Sequence, residues 1–141
     1  MLISFTGAQS SGKTTMLQEC FNMPEFRKYN CVKEVTRKVA RLYNVDINEA
    51  GGDVTQLFIL HEHLKNHHIK GDSILDRCII DGLVYTEYLY ELGKVSDWVY
   101  QYAKKLYDML LPELDIIFYT DPRDVPIHLS LIHISEPTRR S

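Results

Sequence analysis

Short apolar runs alternate along this chain with longer stretches whose apolar residues recur every three or four positions. Leu2-Ile3-Ser4-Phe5-Thr6 is brief, apolar and β-prone, and predicts a buried strand. The stretch from about Gly12 to Phe21 lacks Pro and predicts a helix that Met23-Pro24 ends. Tyr29 to Val35 predicts a second strand, and Thr36 to Leu42 a basic helix. Asn44 to Asp53, with Gly51-Gly52, is polar and predicts a loop. Thr55 to about His68 predicts a helix with Leu57, Leu60 and Leu64 on its apolar face. Ser73-Ile74-Leu75-Asp76 predicts the third strand, and Asp81-Gly82 leads into a tyrosine-rich helix. Ser96 is a suitable N-cap for a helix to about Leu111. The apolar face expected of that helix is Trp98, Val99, Tyr102, Leu106, Met109 and Leu110, and Pro112 stops it. Asp115 to Thr120 predicts the fourth strand, apolar on both faces as a central parallel strand is, and Asp121-Pro122 ends it. Strands alternating with helices imply a three-layer α/β fold with a parallel sheet.

Composition narrows this picture. The 141 residues are 45% hydrophobic and 25% charged, ordinary values for one domain with a real core. A net charge of -3 supplies no basic field for a nucleic-acid polymer, so none is expected as a partner. No apolar run approaches membrane-span length, and no membrane partner is expected. Cys20, Cys31 and Cys78 form no C-x-x-C pair, which fits reduced thiols and a cytoplasmic location.

The chemistry centres on Gly7-Ala8-Gln9-Ser10-Ser11-Gly12-Lys13-Thr14, which matches the phosphate-binding P-loop G-x-x-x-x-G-K-[ST]. A strand precedes it and a helix follows, as phosphate binding requires. Gly7 and Gly12 permit close backbone approach. The loop N–H groups and the helix N-terminus, with Thr15 in its first turn, then face the phosphates of ATP. Lys13 reaches the β and γ phosphates, and the Thr14 hydroxyl ligates Mg²⁺.

Other candidates stand at strand ends, where open α/β sheets bind ligands. Asp76 ends the third strand, where a carboxylate beside a P-loop holds Mg²⁺ directly or through water. Arg77 follows, suited to a phosphate or an acceptor hydroxyl. Arg37, behind Glu34, is a substrate candidate, while Lys38 reads as part of a solvated face. Gln56 is a candidate partner for a base or amide, although a solvent-facing side chain is the plainer reading. Asp81 is a further substrate-side candidate. Tyr85 and Tyr88, three apart, have the spacing to flank a planar acceptor, the plainer reading being core. His61, His63, His67 and His68 crowd one helix without the H-E-x-x-H pattern, and read as surface histidines rather than a metal site.

With the P-loop, Glu34, Asp76-Arg77 and the closing Thr-Asp-Pro, the chain resembles the P-loop nucleoside and nucleotide kinases. The run from Asp76 to Tyr85 looks most like the ATPase/kinase domain that includes ribosylnicotinamide kinases, and many similar small proteins are phage-encoded, which would put this one in a host cytoplasm. The resemblance implies strand order 2-3-1-4 with a fifth strand beyond the fourth. It also implies Glu34 as general base, Asp76 as Mg²⁺ partner, and ATP with a small hydroxylated acceptor as the partners. That acceptor is a nucleoside, a nucleotide or nicotinamide riboside. The reading leaves room for a homodimer. The alternative is an NTP-dependent regulatory ATPase acting on a protein partner.

Residues 1–127 read as the kinase-like domain. Leu129 to Arg139 resembles the translation of a transposase-type sequencing adapter, so residues 128–141 are expected to be a non-native, disordered tail. On that expectation the lid arginines and the fifth strand are missing, the fourth strand is an open edge, and His133 and Arg139 belong to no site.

Overall fold

The computed structural model describes residues 1–7, 13–43, 52–120 and 129–133. Ala8 to Gly12, the predicted loop from Asn44 to Gly51, and Asp121-Pro122 lie outside the described residues, as do the side chains of Thr14 and Arg37. The elements run β1 (Leu2–Gly7), α1 (Lys13–Phe21), β2 (Asn30–Val32), α2 (Val35–Tyr43) and α3 (Asp53–Asn66). They continue with β3 (Ser73–Asp76), α4 (Ile79–Glu91), α5 (Asp97–Leu110), β4 (Ile116–Thr120) and β5 (Leu129–His133).

The sheet order is β2-β3-β1-β4-β5. The first four strands are parallel and stand in the order expected, 2-3-1-4. The expectation of a missing fifth strand needs correcting. A fifth strand lies beside β4, but it pairs antiparallel, with Ile116 opposite His133 and Thr120 opposite Leu129. A β4 edge left open would expose a row of unpaired backbone groups, and β5 satisfies them.

The pleat divides the sheet's side chains between two layers. Ile3, Phe5 and Ile74 face α1 and form a core with Leu17 and Cys20. The Phe5 and Phe118 rings stack at 4.8 Å. Leu2, Leu75 and Ile117 face the other way, with Cys78, Leu111 and Leu114. Each fully buried aliphatic or aromatic side chain here contributes about 1.5–3 kcal/mol. Beyond this layer α3, α4 and α5 share a third core of Leu60, Ile79, Leu89, Val99, Ala103, Leu106 and Leu110.

Local departures from the sequence reading have physical causes. Strand β2 is only three residues long, because Glu34 leaves the sheet to start α2. Helix α4 begins at Ile79, two residues before Asp81-Gly82, closed by reciprocal capping between Cys78 and Asp81. Ser96 is the N-cap of α5, yet its hydroxyl makes no cap bond. It donates instead to Asp53 at 2.6 Å and ties α5 to the start of α3. The buried face of α5 is Val99, Ala103, Leu106 and Leu110, while Trp98 and Met109 are 59% and 65% exposed. A heptad-like count alone does not separate the face that meets α3 and α4 from its neighbour.

Of the two solvated readings, Lys38 keeps a side chain 41% exposed while gaining a buried partner, and the reading of His63 and His67 is corrected. Lys38 pairs at 2.8 Å with Glu62, which is fully buried. Burial works to raise the Glu62 carboxyl, but the ammonium groups of Lys38 and Lys65 overcome it and hold it below its ordinary range. His63 and His67 are buried too, not on the surface, because this side of α3 packs against α4. Among the described residues, no group of three or more His, Cys, Asp or Glu is placed to hold a metal ion.

Candidate active site

The carboxyl ends of β1, β2 and β3 lie side by side and bring together residues far apart in sequence. Gly7 ends β1 with φ of 141° and no room for a side chain. A Cβ there would lie 2.4 Å from the Thr120 carbonyl oxygen. The chain therefore enters the phosphate loop pressed against β4, a conformation only glycine accepts.

Lys13 opens α1, is buried, and forms an ion pair with Asp76 at the end of β3. The Asp76 carboxylate thus lies next to the loop and accommodates a positive charge. Its hard oxygen donors suit Mg²⁺. The Gly7 backbone likewise fits the close approach that ATP phosphates need.

Arg77 is the one non-glycine residue with positive φ among the described residues, at 75°. Its backbone N–H donates to the Phe5 carbonyl at 2.8 Å. Its guanidinium donates to the Gly7 carbonyl at 2.8 Å and to Asp81 at 3.3 Å. The strained backbone, costing about 1–2 kcal/mol, is held by these contacts. Asp81 also accepts from the Thr6 hydroxyl at 2.6 Å and from the Cys78 N–H at 2.9 Å. Burial raises its carboxyl above the usual range despite these donors and the Arg77 charge. The Cys78 thiol beside it is pushed up to about 12, by burial first and by Asp81 second. It is a thiol and not a nucleophile.

Next to this cluster opens a cavity of about 360 Å³. Its polar lining includes Glu34, Arg77 and Asp81, and its apolar lining Val35, Ile59 and Tyr85. Glu34 precedes α2 and accepts the Thr36 N–H at 3.1 Å, which fixes its carboxylate at the helix start. Of the candidate residues, Glu34, Arg77, Asp81 and Tyr85 line this one cavity. Tyr88 does not line it, and its ring lies 6.0 Å from that of Tyr85 at an angle of 31°. Gln56 is not among the lining residues. It is 1% exposed and donates to the Thr86 hydroxyl at 2.8 Å, which overturns the solvent-facing reading.

His63 was missed as part of the site, yet it lines the cavity. Burial, helped by the neighbouring His67 and Arg77 and opposed by Glu62, lowers it to about 3. His67, one turn on, is lowered to about 4 by burial, with the Leu110 carbonyl opposing. Its Nε2 accepts the Ile79 N–H at 3.1 Å and so caps α4. Gly82 carried the available signal for this packing, because a small residue in a helix lets another side chain approach its backbone.

Comparison with known proteins agrees with this architecture. Two solved structures of deoxyadenosine kinase from M. mycoides are similar to the chain. One, holding the products dCMP and a flexible dCDP, has a TM-score of 0.60 and 21% identity, with 84% of this chain and 62% of that chain covered. The other, with bound dATP, has a TM-score of 0.50 and 18% identity, with 84% and 64% covered. The chain thus spans less than two thirds of the length of these kinases. No curated protein matches the sequence. The family described as AAA domain matches residues 2–130, nearly the whole chain, and the protein, with its parallel sheet in kinase-like order, belongs to that family.

Proposed function

We propose that this domain transfers the γ-phosphoryl group of ATP to a hydroxyl of a nucleoside-like acceptor. The observation that carries the reading is an acceptor-sized cavity lined by Glu34 and by Arg77, the residue that follows Asp76 of the Lys13–Asp76 pair. Arg77 belongs to both, lining the cavity and bonding Gly7 at the start of the phosphate loop.

In this reading the acceptor hydroxyl lies at Glu34, and its oxygen attacks the γ phosphorus. The bond from that phosphorus to the bridging oxygen breaks, ADP leaves, and the hydroxyl proton passes to the Glu34 carboxylate. The Thr36 N–H keeps one carboxylate oxygen engaged, so the carboxylate is oriented before the acceptor arrives. Lys13 exchanges its Asp76 partner for phosphate oxygens, and Arg77 adds positive charge where the transferred group passes. Thr14 and Asp76 would hold Mg²⁺, which neutralises phosphate charge when bound. Val35, Ile59 and Tyr85 supply an apolar wall for a planar ring, a usual division of labour in small-molecule sites. Nicotinamide riboside and the deoxynucleosides are both acceptors of this class. The kinship with deoxyadenosine kinase supports testing deoxynucleosides first.

The test is ADP formation with Mg-ATP and each of the four deoxynucleosides or nicotinamide riboside. Acceptor-dependent ADP release that Lys13→Met abolishes is the expected result. Slow ADP release indifferent to every acceptor would instead mark a regulatory ATPase.

A further inference from the structure

Helix α3 carries two buried histidines one turn apart, and the fold uses them differently. The His67 ring has a structural task, with Nε2 capping α4 and the Leu110 carbonyl facing the ring. The His63 ring lines the acceptor cavity and is 2% exposed; among the described residues its Nδ1, like that of His67, has no hydrogen-bond partner, but the His63 ring, unlike that of His67, makes no bond to a helix end. A buried polar nitrogen left unpaired is destabilising, and such groups call for a specific explanation.

The ring is also held in place. A Cβ at Gly82 would come within 2.9 Å of its Cδ2 and 3.4 Å of its Nε2. Only a glycine in α4 therefore leaves room for the imidazole, and the Cδ2–Nε2 edge rests on the helix backbone. A side chain positioned this tightly loses little conformational freedom on meeting a ligand. The same burial keeps the ring uncharged near neutral pH. It offers one donor and one acceptor, and no charge to repel a cationic ring or attract an anion.

We propose that His63 is a specificity-determining residue of the acceptor cavity, hydrogen-bonding the polar edge of an uncharged or cationic nitrogen heterocycle whose hydroxylated end lies at Glu34. This rests on the reading of the cavity as the acceptor site. The ligand class follows from the lining. The apolar wall accepts a planar ring, the neutral imidazole reads a hydrogen-bonding edge of that ring, and Glu34 and Arg77 take the hydroxyl. An acceptor whose ring lacks such an edge leaves the imidazole unpaired and binds more weakly.

The experiment compares deoxyadenosine with a phenyl C-deoxyriboside, which keeps the sugar and loses the polar edge. Calorimetry gives binding and ADP release gives turnover. In His63→Phe, the preference for deoxyadenosine over the phenyl compound should fall about tenfold, the loss expected for one hydrogen bond. The KM for ATP should stay within twofold. His63→Asn, which keeps a polar atom near the Nδ1 position, should recover most of the preference. An unchanged preference in His63→Phe overturns the proposal, as does an equal loss for both compounds. If His63→Phe fails to fold, the wild-type protein labelled with ¹⁵N-histidine decides. Saturating deoxyadenosine should shift the His63 ring nitrogens by several ppm, and stationary resonances overturn the proposal. Binding with a shifted ring but no ADP release keeps this inference and removes the kinase reading. Acceptor-dependent ADP release with an unmoved ring does the reverse, and no binding of deoxyadenosine to the wild type removes both.

Discussion

The phosphate end of the site and the acceptor cavity differ in how their polar groups are satisfied. At the phosphate end Lys13 rests on Asp76, and where the two halves meet Arg77 and Thr6 rest on Asp81. A ligand arriving there must exchange partners. In the cavity, among the described residues, Glu34 accepts a backbone N–H from Thr36 and the His63 Nδ1 has no partner. A ligand arriving there completes a set of bonds. Exchange makes affinity depend on the strength of the internal pair, whereas completion makes it depend on the shape and edge of the ligand. On this basis phosphate binding is the tunable half of the site and acceptor choice the specific half.

The strongest way to break the comparison is Glu34→Gln. Loss of a general base should lower kcat by about 10²–10⁴ while leaving acceptor and ATP binding within a few-fold. Steady-state kinetics alongside calorimetry checks this, and unaltered turnover would move the base elsewhere. Lys13→Met comes next. It removes the ammonium yet keeps most of the stem, and should weaken Mg-ATP binding by about 10²-fold. Because Asp76 loses its partner in a buried setting, the same variant should also unfold at lower temperature. An ATP affinity equal to wild type would show that the internal pair is not what the nucleotide displaces.

Acid should separate the two halves more gently. His63 and His67 stay neutral in the fold down to about 3 and 4, whereas an unfolded imidazole titrates near 6.5. Below about pH 6.5 the unfolded chain therefore binds protons that the fold refuses. Stability should fall by about 1.4 kcal/mol per pH unit for each histidine until the folded values are reached. Asp81 acts in the opposite sense, since its raised folded carboxyl takes up a proton before the unfolded one does. Urea unfolding at pH 7, 6 and 5 measures the sum, and His67→Asn should roughly halve the slope. A flat profile over that range would mean that both rings are hydrated in solution. The smallest effect is expected for Lys38→Met, which leaves Glu62 with Lys65 alone. About 1 kcal/mol of stability should go, with a modest rise in acceptor KM because α2 carries Glu34 at its start. A kcat change larger than the KM change would argue that Lys38 acts on the chemistry itself.

The same division explains what could be read from the chain. The phosphate end is written in one run, since a P-loop must be contiguous, and Asp76-Arg77 adjoins it through β3 pairing with β1. The parallel sheet follows from the alternation of strands and helices, and the sheet order was implied by the resemblance to the P-loop nucleoside and nucleotide kinases. The cavity is assembled from β2's end and from α2, α3 and α4, so no spacing announces it. Glu34 was visible only because it closes a strand. His63 on α3 and Lys38 on α2 read as solvated because a histidine-rich helix and a basic helix both have the pattern of a surface. Gly82 makes room for the His63 ring and Glu62 pairs with the half-exposed Lys38, partners 19 and 24 positions away in sequence. The antiparallel partner of β4 was hidden for a similar reason, since edge pairing depends on backbone geometry more than on side-chain pattern.

Residue 77 shows what the two demands on a single position do to its mutational landscape. Its backbone, at φ of 75°, suits glycine, while the contacts to Gly7 and Asp81 need a guanidinium. No natural amino acid satisfies both, and arginine stands there as the compromise. Replacing it with glycine or with alanine removes the same contacts, so the two variants differ only in how their backbones tolerate the turn. At ordinary sites alanine is the more stable of the pair. Here the ranking should invert by about 1 kcal/mol, and the melting curves of the two variants would display the conformational cost of the turn separately from the chemistry it serves.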